Sequence, residues 1–322
     1  MDGSFYQDRE PNDIEKEIKN LSQKWAEQTQ PGEHFRFDAF TEALELHNNG
    51  IEPHLLTTDQ LITYGVESGK KLLFGNMGAY ISQDNQLFWR YCSSLLLDFH
   101  HAKPPHPIRE NSDLFRLFQA CMANMLTERG NPLPLTAQSF LADRAEPMLC
   151  ASYLFYPLIE SLSRVILKDY MQPNGDITRA FQVGPVAYAP PDQGKGKTKC
   201  SNLKHSLAFA VEQIENPKLK AGVTELLDSL KRFTTNNGGI DLLFSMRNDA
   251  LHSGASLAPI AGFSATLSCL LGIEIAKNNI DAYRKRICPI PLFGINMWAS
   301  LYAQICKFPR GSAKCPLPDQ VQ

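Results

Sequence analysis

No apolar run in the 322-residue chain approaches the roughly eighteen residues of a bilayer-spanning helix, so no membrane partner is expected. The opening stretch, MDGSFYQDREPNDIEKE, lacks the basic start and apolar stretch of a secretory signal, and a cytoplasmic setting is expected. Paired cysteine motifs are missing as well. Eight cysteines, at 92, 121, 150, 200, 269, 288, 306 and 315, never form CxxC, and the spacing of Cys288, Cys306 and Cys315 fits no zinc pattern. Scattered thiols in a chain of this length suit a reducing compartment and mostly buried side chains. His100, His101 and His106 lie among prolines with no carboxylate or Cys at ligand spacing, which makes them a surface loop rather than a metal site. No metal and no cofactor is expected. A dominant charge is lacking too: 32 Lys and Arg against 34 Asp and Glu leave a net of -2, so bulk charge does not draw the whole molecule to a polyanion. With 43% apolar and 20% charged residues, the composition excludes a disordered chain. No internal repeat is present.

What is present is unevenly distributed. Residues 1–60 hold thirteen acidic and five basic side chains, whereas residues 277–322 hold seven basic and two acidic ones. The basic end either binds nucleic acid or faces the acidic start. Apolar residues recur at helical spacing nearly throughout, so the fold is expected to be all-α. Ile14, Ile18, Leu21 and Trp25 mark a first helix, stopped by Pro31-Gly32. Asn48-Asn49-Gly50 is a C-cap signal, and Thr57-Thr58-Asp59 can cap a helix running to Leu73. Glycines 65, 69, 75 and 78 permit close helix packing. Helices follow at 87–99 and at 112–129, the latter with Ser112 as its cap. Ala137 to about Arg144 leads into an apolar stretch, 148–170, in which Pro157 kinks or restarts the helix. Helices are also expected at 201–215, at 217–232 and from Ile260 to about Ile287.

Residues 171–199 are the least regular. Residues 181–188 suit a short strand or an extended lid, and 189–199 a flexible basic loop. Gly196-Lys197-Thr198 matches the end of a phosphate-cradling loop, but Pro191 stands where the first glycine belongs, which rejects a nucleotide site of that type. Lys195, Lys197, Lys199 and Lys204 are either solvated or in contact with RNA phosphates.

The segment Arg247-Asn248-Asp249-Ala250-Leu251-His252-Ser253-Gly254 carries the chemistry. It closes a helix that begins after Asn236-Asn237-Gly238-Gly239. Five residues turn a helix by about 500°, so Arg247 and His252 point about 140° apart. Asn248 and His252, four apart, share a face, and the amide can orient the imidazole. His252 moves protons near neutral pH, and Arg247 holds a phosphate and the charge that builds on it. On RNA the ribose 2′-OH already supplies the nucleophile, so this pair needs no metal and predicts cleavage of RNA but not DNA.

RNDALHSG resembles the Arg-x(4–6)-His motif of the HEPN superfamily, in the version with Asn after Arg and Gly shortly after His. The stretch 154–167, LFYPLIESLSRVIL, is similar to that family's opening helix, and by the resemblance Glu160 supports the active site. Glu160 is also four residues before Arg164, the favourable orientation for an ion pair. The resemblance implies a helical bundle over 146–287, preceded by a helical region 1–145 of unassigned role and followed by a basic tail, 288–322. It further implies a homodimer through the motif helices and a composite site of Arg247, His252, Asn248 and Glu160. Many members are metal-independent endoribonucleases of toxin–antitoxin, phage-defence or RNA-processing systems, which brings in an antitoxin or regulatory protein as partner. Other members have lost catalysis and serve as dimerisation or binding modules. The competing readings are thus a ribonuclease, a non-catalytic helical interaction protein, and a nucleotide-binding module using Lys195, Lys197 and Lys199.

Overall fold

The computed structural model describes residues 11–28, 45–73, 83–97, 107–126, 137–233, 238–253 and 258–285. Within these residues the protein is all-α apart from one two-stranded hairpin. The N-terminal elements are α1 (Pro11–Gln28), α2 (Thr58–Lys71), α3 (Gln83–Leu97), the single turn α4 (Pro107–Glu110) and α5 (Ser112–Leu126). The long α6 (Ala137–Ile166) leads to β1 (Phe181–Val183) and β2 (Val186–Tyr188). Then come α7 (Leu203–Gln213), α8 (Pro217–Ser229), α9 (Gly239–Ser253), α10 (Ala258–Ala276) and the short α11 (Ile280–Arg284).

Local signals in the chain account for most helix starts. The Thr57 side chain accepts from the Gln60 N–H while the Gln60 amide oxygen accepts from the Thr57 N–H, a reciprocal cap that opens α2. Asn202 and Asn216 cap α7 and α8 in the same side-chain-to-backbone way. At α5 the cap is Asn111, whose side-chain oxygen accepts from the Leu114 N–H, and not the expected Ser112. Pro157 neither ends nor restarts a helix: α6 runs through it, with the proline on the exposed side, where its missing N–H is least costly. The helix expected from 260 to 287 breaks at residues 277–279, between α10 and α11. Gly75, Gly78, the three histidines at 100, 101 and 106, the Pro31-Gly32 stop and the basic tail 288–322 lie outside the described residues.

The core is organised around α10. Every residue from 260 to 274 is buried, so this helix is covered on all sides. It packs along α6, α3 and α2, while α6 also contacts α5 and α7. A continuous apolar cluster extends from Ile18 to Tyr283, and the expected boundary at 145/146 falls within α6. Two expected glycines mark close approaches. A Cβ on Gly65 would stand 2.3 Å from the Phe88 ring, and one on Gly69 would stand 2.9 Å from methyl carbons of Leu226 and Thr266. One polar contact crosses this core, from Trp89 Nε1 to Thr266 Oγ1 at 2.9 Å.

Charge pairing joins the N-terminal region to α8: Lys218 bonds Glu15 at 2.6 Å and Lys70 bonds Glu225 at 2.5 Å. Glu15, one of the early acidic residues, is therefore answered by Lys218 of α8. Of the five cysteines described, Cys92, Cys121, Cys200 and Cys269 are buried free thiols and Cys150 is exposed. This agrees with the expected mostly buried thiols.

Candidate functional site

The motif helix α9 is seated by its first residue. A Cβ on Gly239 would stand 1.7 Å from the Leu227 carbonyl oxygen, so only glycine lets α9 begin this close to the end of α8. Leu243 is fully buried, while Ile240, Leu242, Phe244 and Met246 are partly buried and pack against the core. The helix touches α7, α8 and α6 but keeps much of its circumference half-open, unlike α10.

Arg247 and Asn248 are both half-buried on this helix. Among the described residues Arg247 has no carboxylate partner. The backbone of His252 continues the same helix, one residue before its end at Ser253. Its side chain lies outside the described residues, as does Gly254, the expected C′ residue.

Glu160 is committed to a specific partner. Its carboxylate takes Nη2 of Arg164 one turn later on α6, the ion pair expected from their spacing. Nη1 of Arg164 also donates to the Pro173 carbonyl at 2.9 Å, and Nη2 lies 3.5 Å from the Cys200 carbonyl. The guanidinium thus joins the end of α6 to both ends of the 171–200 insertion. The Glu160 side chain is 15% exposed.

The insertion is more ordered than a lid and a flexible loop. β1 and β2 pair antiparallel through Phe181 with Tyr188 and Val183 with Val186, turning at Gly184. The basic segment returns along β2: the Lys197 N–H donates to the Ala187 carbonyl and the Ala189 N–H to the Lys197 carbonyl, at 3.0 and 3.1 Å. These bonds replace the strand–loop–helix setting of a phosphate-cradling loop, in accord with the rejection made on Pro191. Leu167, Met171, Ile177, Tyr188, Cys200 and Phe209 form a second small core beneath the hairpin. Phe181 stacks between Tyr188 and Phe209, with centroids at 4.8 and 4.3 Å.

The four lysines assigned to substrate binding have different positions. Lys195, Lys197 and Lys199 are exposed, and Lys199 has only a long contact of 3.9 Å to Asp176. Lys204, in the first turn of α7, is bonded to Asp241 in the first turn of α9. It therefore ties the neighbouring helix to the motif helix. The hairpin and α7 also bring Tyr188, whose backbone is bridged to that of Lys197, against His205, the residue after Lys204 and one the sequence did not single out. Nδ1 of His205 lies 2.7 Å from the Tyr188 hydroxyl, and the two rings meet edge to face. Burial first, then the positive charges of Lys204 and Lys197, hold this imidazole below its ordinary value of 6.5. Burial beside Cys200 pushes the Tyr188 phenol up to about 12. No sequence spacing pairs residues 188 and 205; the hairpin does.

Among the described residues no group of three or more His, Cys, Asp or Glu could hold a metal ion, and no helix is long and apolar enough to cross a membrane. No family model, curated protein or solved structure matches the chain.

Proposed function

We propose that this chain is a metal-independent endoribonuclease of the HEPN type, acting as a cytoplasmic homodimer through α9. The carrying observation is Arg247: a half-buried guanidinium, without a carboxylate partner among the described residues, five positions before His252 on a half-open helix. A half-buried cation with no carboxylate partner among the described residues is suited to an anion, and a phosphodiester can meet it bidentately. In this reading the ribose 2′-OH attacks the adjacent phosphorus and the P–O5′ bond breaks. His252 gives its proton to the departing 5′-oxygen, and Arg247 stabilises the charge on the phosphoryl oxygens. The products are a 2′,3′-cyclic phosphate and a 5′-hydroxyl. Asn248 orients the imidazole. The partly open apolar side chains Leu242, Phe244 and Met246 support pairing of two motif helices, which brings two Arg–His pairs to one cleft. A toxin or phage-defence setting, with an antitoxin or regulatory protein as partner, belongs to the same reading.

The test is RNA incubated with the protein and a chelator. Fragments ending in 2′,3′-cyclic phosphate, with DNA untouched and cleavage lost in Arg247→Ala and His252→Ala variants that still fold, are expected. Intact RNA across varied substrates overturns catalysis. One observation favours the second reading, a non-catalytic dimerisation or RNA-binding module: Glu160, the expected supporting carboxylate, is engaged by Arg164.

A further inference from the structure

Away from Arg247 and His252, the structure gathers a second group of chemistry-bearing side chains at the junction of the hairpin and α7. His205 is half-buried and fixed by the Tyr188 hydroxyl at 2.7 Å on its Nδ1. Tyr188 is itself 3% exposed and held in the Phe181 stack, so the imidazole has a set orientation. The Cys200 thiol is the other group beside that hydroxyl. An imidazole nitrogen is a much better acceptor than a thiol sulfur, so the phenol donates to Nδ1. That choice leaves the imidazole proton on Nε2. Among the described residues His205 has no second hydrogen-bond partner. Two lysines lie near it: Lys204, the preceding residue of α7, which shares its donors with Asp241, and exposed Lys197, whose backbone is bridged to that of Tyr188; the positive charge of both reaches the imidazole. A neutral N–H donor near two cations is an arrangement that can hold a phosphate oxygen.

We infer that His205, Lys197 and Lys204 form a phosphate subsite that holds the RNA backbone beside the motif helix. This inference rests on the reading of RNA as the substrate. Lys204 gives the subsite a physical link to α9 through Asp241, in the same helix as Arg247. The subsite positions the strand and takes no part in the bond-breaking step.

The experiment measures binding of a labelled single-stranded RNA of mixed sequence to the full chain carrying His252→Ala, which removes cleavage from the readout. His205→Ala should weaken binding roughly three- to tenfold at pH 8 without changing the salt slope, because a neutral donor releases no counterion. Lys197→Ala and Lys204→Ala should each lower the slope of log K against log salt by about 0.7. Asp241→Asn should strengthen binding by freeing Lys204. On acidification below the ordinary imidazole range His205 gains charge among Lys197, Lys204, Tyr188, Cys200 and the nearby Asp241, so the parent slope should steepen while that of His205→Ala should not. Tyr188→Phe keeps the stack but releases the tautomer, and it should reproduce part of the His205→Ala loss even if the latter folds poorly. Equal binding by all these variants, or no measurable RNA binding by the parent, overturns the subsite. Cleavage is read separately on the unsubstituted chain. Intact RNA there, with His205-dependent binding retained, removes the nuclease reading and leaves the subsite standing.

Discussion

Gly239 shows how much can depend on one missing methyl group. The 1.7 Å separation between a Cβ at this position and the Leu227 carbonyl oxygen is far inside any real contact, and the obstacle is backbone, which cannot swing aside. Gly239→Ala is expected to destabilise the protein by about 2 kcal/mol or more and to dislodge the start of α9, as read by a lower urea midpoint with reduced RNA cleavage. Residues of this kind were partly legible in the sequence. Thr57-Thr58-Asp59 announced a helix start through a local pattern, and in the structure Thr57 is the cap, with Gln60 as its partner. Glu160 and Arg164 announced an ion pair in the same way. Tyr188 and His205 announced nothing, because their meeting depends on a hairpin that folds back between them. Local chemistry is written in neighbouring letters, whereas a contact made through a turn depends on geometry that no spacing rule carries.

At the scale of elements, α6 departs most from its expected form. A proline inside a helix removes one backbone bond and crowds the preceding turn, so the sequence favoured a kink or a restart at Pro157. No restart occurs: Phe155, Tyr156, Leu158, Ile159 and Leu162 are all buried, and the helix continues through an exposed Pro157. Pro157→Ala should therefore stabilise the protein by about 1 kcal/mol, raising its melting temperature without altering RNA binding. In the insertion after α6 the short-strand alternative for 181–188 holds, as two strands of three residues each, whereas the segment expected as a flexible loop returns along β2; a small aromatic core and Arg164 at both of its ends, neither visible in local spacing, hold the insertion. The motif helix was placed correctly to within a few residues by its apolar spacing, and apart from Gly239 and Leu243 its residues up to Asn248 are half-buried.

For the whole molecule, two imidazoles link stability to acidity. His54 is held below its ordinary 6.5 by burial, with Glu52 opposing and Arg284 adding to the effect, and His205 is lowered by burial, Lys204 and Lys197. A group whose pKa is depressed on folding binds more protons when unfolded, so stability rises with pH through this range. The contribution is complete above about 6.5 and is lost as pH falls through the lower folded values. Urea midpoints should accordingly fall between pH 7.5 and pH 5, and a His54→Gln, His205→Gln double variant should show a flatter profile. An equally steep profile in that variant would remove these two histidines from the account. The all-α class was legible because helical periodicity recurs along most of the chain. The joining of N- and C-terminal helices in one main core, with a smaller one beneath the hairpin, was not, since periodicity reports which face of a helix is apolar but not which helix will cover it.

One consequence of that core concerns the order of synthesis. The helix buried on every side, α10, leaves the ribosome after α1 to α9 have already emerged. Until it arrives, α2, α3 and α6 lack the surface on which their apolar faces close, and the nascent chain must hold those faces open to water. The polypeptide is thus committed to a long exposed interval during translation, when chaperone occupancy, or aggregation in its absence, is set by how quickly residues 258–276 follow.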